Sequence, residues 1–157
     1  SSIGFLVSKS LKLDFFDVDN YIEKDLKMKI PEIFEIKGEN FFRKIEEKIT
    51  LKILKKNTAV ISLGGGSFLN KNIRKEILLN HVSFWLKWED QILIKRIKNS
   101  KKRPLVIEAT DLEITDLIKK RSIIYSKALH KINCDGLSKS EVVKKVIAIY
   151  ENKKNNN

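Results

Sequence analysis

The chain has 157 residues, with 32 basic and 20 acidic side chains and a formal charge of +12, which is about one domain's length and excludes a multidomain machine. A domain of this size removes about 70% of its unfolded surface from water, so 42% hydrophobic residues fill one core and a stapled miniprotein is excluded. One cysteine, Cys134, and two distant histidines, His81 and His130, cannot build a zinc site or a disulfide framework, which predicts a reducing, cytoplasmic compartment.

No run approaches the roughly 18 apolar residues of a membrane span, and the N-terminus lacks a basic segment followed by an apolar core. A soluble, unexported protein is expected. The basic excess comes from 27 lysines and only five arginines, beside 22 isoleucines and 12 asparagines, a mix that reads as coding bias. Its lysine pairs are scattered over several elements, whereas a nucleic-acid footprint would gather on one face with arginine or aromatic readers. The arginines therefore carry the information: Arg43, Arg74, Arg96, Arg103 and Arg121.

Along the chain, short apolar runs alternate with longer amphipathic segments, the pattern of a parallel sheet with crossover helices, covered on both faces. Strands are predicted over Leu13–Val18, Thr58–Leu63, Val82–Leu86 and Lys131–Cys134, the second buried on both faces. A helix begins near Tyr21. Pro31 suits the first position of a short helix that Gly38 stops, and a second helix follows over Glu39–Lys56, with Phe42, Ile45, Ile49 and Ile53 on one stripe. Thr110 with Glu113, and Ser138 with Glu141, have capping-box spacing at the starts of the last two long helices. Asn99–Asp111 reads as a surface loop or lid, residues 1–150 as one domain, and Glu151–Asn157 as a disordered polar tail.

Five features could carry chemistry. Asp17-Val18-Asp19 ends a strand where open α/β sheets present side chains to a ligand crevice. Alternation puts both carboxylates on one side, to serve a magnesium ion and a substrate hydroxyl, or else to cap the next helix. Gly64-Gly65-Gly66 follows the most buried strand, and its use is either backbone approach to a ligand or a tight turn with positive φ. Arg43 either serves a site or pairs with Glu47 on the helix surface. Arg121 lies on the stripe of Ile114, Leu117, Ile118 and Tyr125, so it needs an anion in a cleft or a buried carboxylate. Arg103-Pro104, with Arg96 nearby, is either a mobile arginine over a phosphate site or a solvated basic loop.

In order and spacing, these features resemble shikimate kinase, a P-loop enzyme of the nucleoside monophosphate kinase type. Ser1-Ser2-Ile3-Gly4 and Leu11 to Asp19 are similar to the stretch from just after the family's P-loop lysine to its D-x-D. Gly38-Glu39-Asn40-Phe41-Phe42-Arg43-Lys44-Ile45-Glu46 resembles its G-E-x-x-F-R-x-x-E, Arg103-Pro104-Leu105 its R-P-L lid, and Arg121 with Tyr125 its R-x-x-x-Y. The glycine triplet matches as well. Lys127 departs from the pattern, standing where the family usually has an acidic residue.

The resemblance implies phosphorylation of shikimate at its 3-hydroxyl by ATP with Mg2+, on the route to chorismate and the aromatic amino acids. It implies that Arg43 and Arg121 grip the substrate carboxylate, that Asp19 orients or deprotonates the hydroxyl, and that Gly64, Gly65 and Gly66 line the ring. Ser1 and Asp17 would hold magnesium, Ser1 and Ser2 the phosphates, and Arg96 the adenine, while Arg103 closes over the phosphates. A monomer is expected, with no nucleic-acid or membrane partner. The family's glycine-rich loop and the central strand before it have no counterpart in these residues, so a fragment with impaired activity is expected. The alternatives are another small-molecule kinase of the gluconate type, a non-catalytic shikimate-binding domain, and a basic nucleic-acid module.

Overall fold

The computed structural model describes residues 2–56, 58–98 and 109–155, with side chains to residue 152. Strand β1 (Asp14–Asp17) runs parallel to β2 (Ala59–Ser62), with Asp14 opposite Ala59 and Asp17 opposite Ser62. A second parallel pair joins β3 (Phe84–Lys87) to β4 (His130–Asn133), Phe84 opposite His130. Among the described residues no ladder connects the pairs, so the one sheet expected from the sequence is observed as two. This also corrects the expectation for β2. With a hydrogen-bonded neighbour on one side only, its four residues are half-buried rather than enclosed.

Among the described residues, seven α-helices surround these strands: α1 (Ser2–Leu11), α2 (Val18–Leu26), α3 (Ile30–Leu54), α4 (Lys71–Asn80), α5 (Asp90–Lys98), α6 (Asp111–Tyr125) and α7 (Lys139–Asn155). Successive strand residues point to opposite faces, and the core clusters follow that rule. Val60 packs with Val7 of α1 and Val142, Val143 and Val146 of α7, whereas its neighbour Ile61 packs with Val18, Ile22, Ile33, Phe42 and Ile53 of α2 and α3. Phe15 likewise meets Phe5 of α1 edge-on, while Phe16 faces the α2–α3 side. Helices therefore cover both faces of the β1–β2 pair.

Local chemistry sets the helix ends. Thr110 Oγ1 accepts the Glu113 N–H at 3.3 Å and Glu113 Oε2 accepts the Thr110 N–H at 2.8 Å; Ser138 and Glu141 repeat the arrangement. Both boxes stand where the spacing predicts. α3 opens at Ile30, one residue before Pro31, and is broken at Gly38, whose φ of 79° is left-handed, so the predicted stop survives as a kink. α2 starts at Val18 rather than near Tyr21. α7 continues through residues 151–155, read from sequence as a disordered tail. A helix already anchored by its apolar stripe extends at little cost into polar residues. Of the lid expected over 99–111, residues 99–108 lie outside the described residues, and Thr110 and Asp111 are the cap and first residue of α6.

Cys134 is buried beneath α7, and burial pushes its thiol pKa up. Among the described residues, no helix is long and apolar enough to cross a membrane.

α1 lies so close to β2 that a Cβ at Gly4 would collide with Ser62 Oγ and stand 3.1 Å from Phe15 Cε2. Gly4→Val is therefore expected to destabilise the fold by about 1–3 kcal/mol, as overpacking does. Urea unfolding should show part of that loss recovered when Ser62→Ala is added.

Candidate active site

The site forms where β1 and β2 run out. Asp17 ends β1 and caps α2, its Oδ1 accepting the Asn20 N–H at 3.2 Å, so the capping alternative holds for this residue. Asp19 lies in the first turn of α2. Strand alternation therefore does not relate the two carboxylates; the turn into the helix does. Asp19 has its pKa raised to about 6, first by burial and then by the negative charges of Asp17, Glu46 and Glu23.

Gly64, Gly65 and Gly66 follow β2 and lead into a 3-10 turn over Ser67–Leu69, closed by Ser67 N–H to Gly64 C=O at 3.2 Å and Leu69 N–H to Gly66 C=O at 3.0 Å. Neither left-handed backbone nor a special turn explains the triplet, since the positive-φ glycines are Gly38 and Gly136. Space explains it. A Cβ at Gly64 would stand 2.5 Å from Asp19 Oδ1, one at Gly65 3.8 Å from Arg121 Nη1, and one at Gly66 would collide with Arg43 Nη1 and lie 2.8 Å from its Cζ. Consecutive Cα atoms are about 3.8 Å apart, so Asp19, Arg121 and Arg43 converge on a patch under a nanometre across.

Arg43 is held from both sides on its own helix. Its Nε donates to Glu39 Oε1 at 3.1 Å and its Nη1 to Glu46 Oε2 at 2.7 Å. The surface pairing with Glu47 does not form; Glu47 instead accepts from Asn70 and Asn72, tying α3 to α4. Burial works against the Arg43 charge, but Glu46 and Glu39 outweigh it and its pKa is raised. Buried Glu46 uses its other oxygen to accept from Ser67 Oγ at 2.7 Å, which joins α3 to the turn after the glycines. Arg121 differs. Its Nε is buried without a hydrogen-bond partner, and among the described residues no carboxylate pairs with it. One turn further along α6, the Tyr125 hydroxyl donates to the Gly65 carbonyl.

The family model described as shikimate kinase matches residues 1–151. The chain belongs to the shikimate kinase family. The shikimate kinase of Thermodesulfovibrio yellowstonii is 40% identical over 96% of this chain and 88% of its own length, and that of Bacillus subtilis is 40% identical over 94% and 80%. The crystal structure of shikimate kinase from Aquifex aeolicus is 35% identical, with a TM-score of 0.87 over 98% of this chain and 90% of that one. The Acinetobacter baumannii shikimate kinase, solved in complex with shikimate, superposes with a TM-score of 0.90 over 98% of this chain and 87% of its own; at 24% identity it speaks for the fold. Shikimate kinases are phosphotransferases, and this chain has their α/β fold with parallel strands.

The remaining predicted residues are placed as follows. Ser1 and Arg103 lie outside the described residues, and Ser2 is exposed at the start of α1. Arg96, on α5, sits 4.5 Å over the Trp88 ring. Arg74, the arginine without a family counterpart, donates from Nη1 to the Phe68 and Leu69 carbonyls at 2.9 Å and braces the turn. Sequence reasoning gave no role to Glu46, Ser67 or the Tyr125 hydroxyl. Glu46 had a signal: it stands four residues after Phe42 and three before Ile49, on the apolar stripe, where a charge requires a partner.

Asp19 holds its proton more tightly in the folded protein than in the unfolded chain, where the carboxyl titrates near 3.8. Stability therefore falls as pH rises from 3.8 towards 6 and stays reduced above that range. Asp19→Asn is expected to melt a few degrees above the parent at about pH 7.5, with a much smaller advantage at about pH 4. Thermal melts at the two pH values check this.

Proposed function

We propose that this chain phosphorylates the 3-hydroxyl of shikimate, with ATP as donor, on the route to chorismate and the aromatic amino acids. The convergence of Arg43, Arg121 and Asp19 on one glycine turn carries the reading. Two guanidinium forks suit a planar carboxylate in a way ammonium groups do not. Arg43 arrives pre-oriented by Glu39 and Glu46, while Arg121 brings a positive charge that no carboxylate among the described residues neutralises. A small acid bound between them places its ring over the turn, where Gly65 and Gly66 admit close approach.

Asp19 orients the reacting hydroxyl and accepts its proton. With a pKa of about 6 it is mostly ionised at neutral pH yet basic enough to take a proton in the transition state. Phosphoryl transfer leaves the protein little covalent work, so positioning and charge supply the catalysis.

Magnesium ordinarily takes one or two carboxylates and completes its shell with phosphates and water. Asp17, at the end of β1, together with Ser1 would share the ion with nucleotide phosphates. Magnesium-ATP supplies the transferable phosphoryl group when bound. Ser2 at the start of α1 would face the phosphates, Arg96 the adenine, and Arg103 the transferring group.

Shikimate-dependent ADP release and calorimetry test these statements. Arg43→Ala and Arg121→Ala are each expected to weaken shikimate binding about tenfold to a hundredfold, as loss of a charged hydrogen bond does. Gly66→Ala should copy Arg43→Ala and add little to it, because both displace one guanidinium. Asp19→Asn is expected to keep binding within a few-fold while lowering turnover at least about a hundredfold. ADP release independent of shikimate would overturn the assignment.

A further inference from the structure

We infer that Tyr125 is a positioning residue, whose hydroxyl, donating to the Gly65 carbonyl, sets the distance between Arg121 and the glycine turn and so tunes capture of the substrate carboxylate. The inference rests on the proposed shikimate site and assigns a task within it. Arg121 and Tyr125 are four residues apart on α6 and share one face. The same glycine receives both: the carbonyl of Gly65 accepts the tyrosine hydroxyl, and the position of its missing Cβ lies 3.8 Å from Arg121 Nη1. Arg43 has two carboxylates to orient it, but Arg121 has none among the described residues. Its placement must come from its own helix and from whatever holds that helix to the turn.

Tyr125 is built to be that tie. Its ring centroid lies 6.5 Å from that of Phe68 in the turn and 6.1 Å from that of Trp85 in β3, so two aromatic neighbours help to orient the hydroxyl. The contact spans 60 residues and links α6 directly to the end of β2.

The test is Tyr125→Phe, which keeps the ring and removes only the donor. By calorimetry it should weaken shikimate binding about fivefold to tenfold, the scale of one hydrogen bond, while the melting temperature moves little. In an Arg121→Ala background the same change should have almost no further effect on affinity, since the two residues act as a unit; in an Arg43→Ala background its full effect should remain. Unchanged affinity, or losses that simply add with Arg121→Ala, would overturn the inference. A ligand-free reading separates this from failure of the proposed function. In nitrogen-15 spectra, Tyr125→Phe should shift or broaden the Arg121 Nε–H signal and leave that of Arg43 in place. If the parent protein ignored shikimate, the functional reading would fall while this spectrum still decided the role of Tyr125; an unmoved Arg121 signal would sink it.

Discussion

Three consecutive positions without side chains hold the site together. Gly64 and Gly66 make room for Asp19 and Arg43, and the Cβ position of Gly65 between them lies at contact distance from Arg121, so three groups from three different helices are gathered along one short stretch of backbone. The turn itself is fixed from outside: Ser67 by buried Glu46, the Phe68 and Leu69 carbonyls by Arg74, and the Gly65 carbonyl by Tyr125. A flexible sequence is thereby made into a rigid gauge. Rigidity of this kind matters for a reaction whose catalysis is mostly alignment.

The electrostatic arrangement is uneven by design of the fold. Arg43 is compensated within α3, whereas Asp19 shares its surroundings with Asp17, Glu46 and Glu23, and Arg121 meets no carboxylate among the described residues. The free protein thus keeps, within one small patch, an acid that resists ionisation and a cation with no counterion among the described residues. Such tension weakens the unbound state and is relieved when an anion settles on the cation, which ties binding to stability.

Much of this was legible before any coordinates. The four apolar runs contain or overlap the four strands because buried strands concentrate β-branched and aromatic residues, and the Thr110 and Ser138 caps follow from contacts three residues apart. What escaped the sequence is tertiary. Asp17 is a partial exception: the helix-cap reading of the D-x-D is the one its oxygen follows, whereas the same-side pairing fails because the strand stops there. The glycines read as backbone approach to a ligand or as a positive-φ turn, whereas at Gly64 and Gly66 the space is taken by Asp19 and Arg43, side chains 20 or more residues distant along the chain. The Tyr125–Gly65 contact closes a long loop that no local pattern encodes. Glu46 was within reach, since its place on an apolar stripe follows from counting alone.

The crowding around the glycine turn also bears on the gene. Every glycine codon opens with two guanines, so this triplet demands a guanine-dense word in a reading frame otherwise weighted towards lysine, isoleucine and asparagine, whose codons are rich in adenine and thymine. Drift towards those bases would convert any of the three codons to one for a bulkier residue in a single step, and at Gly64 or Gly66 even alanine intrudes on a functional group.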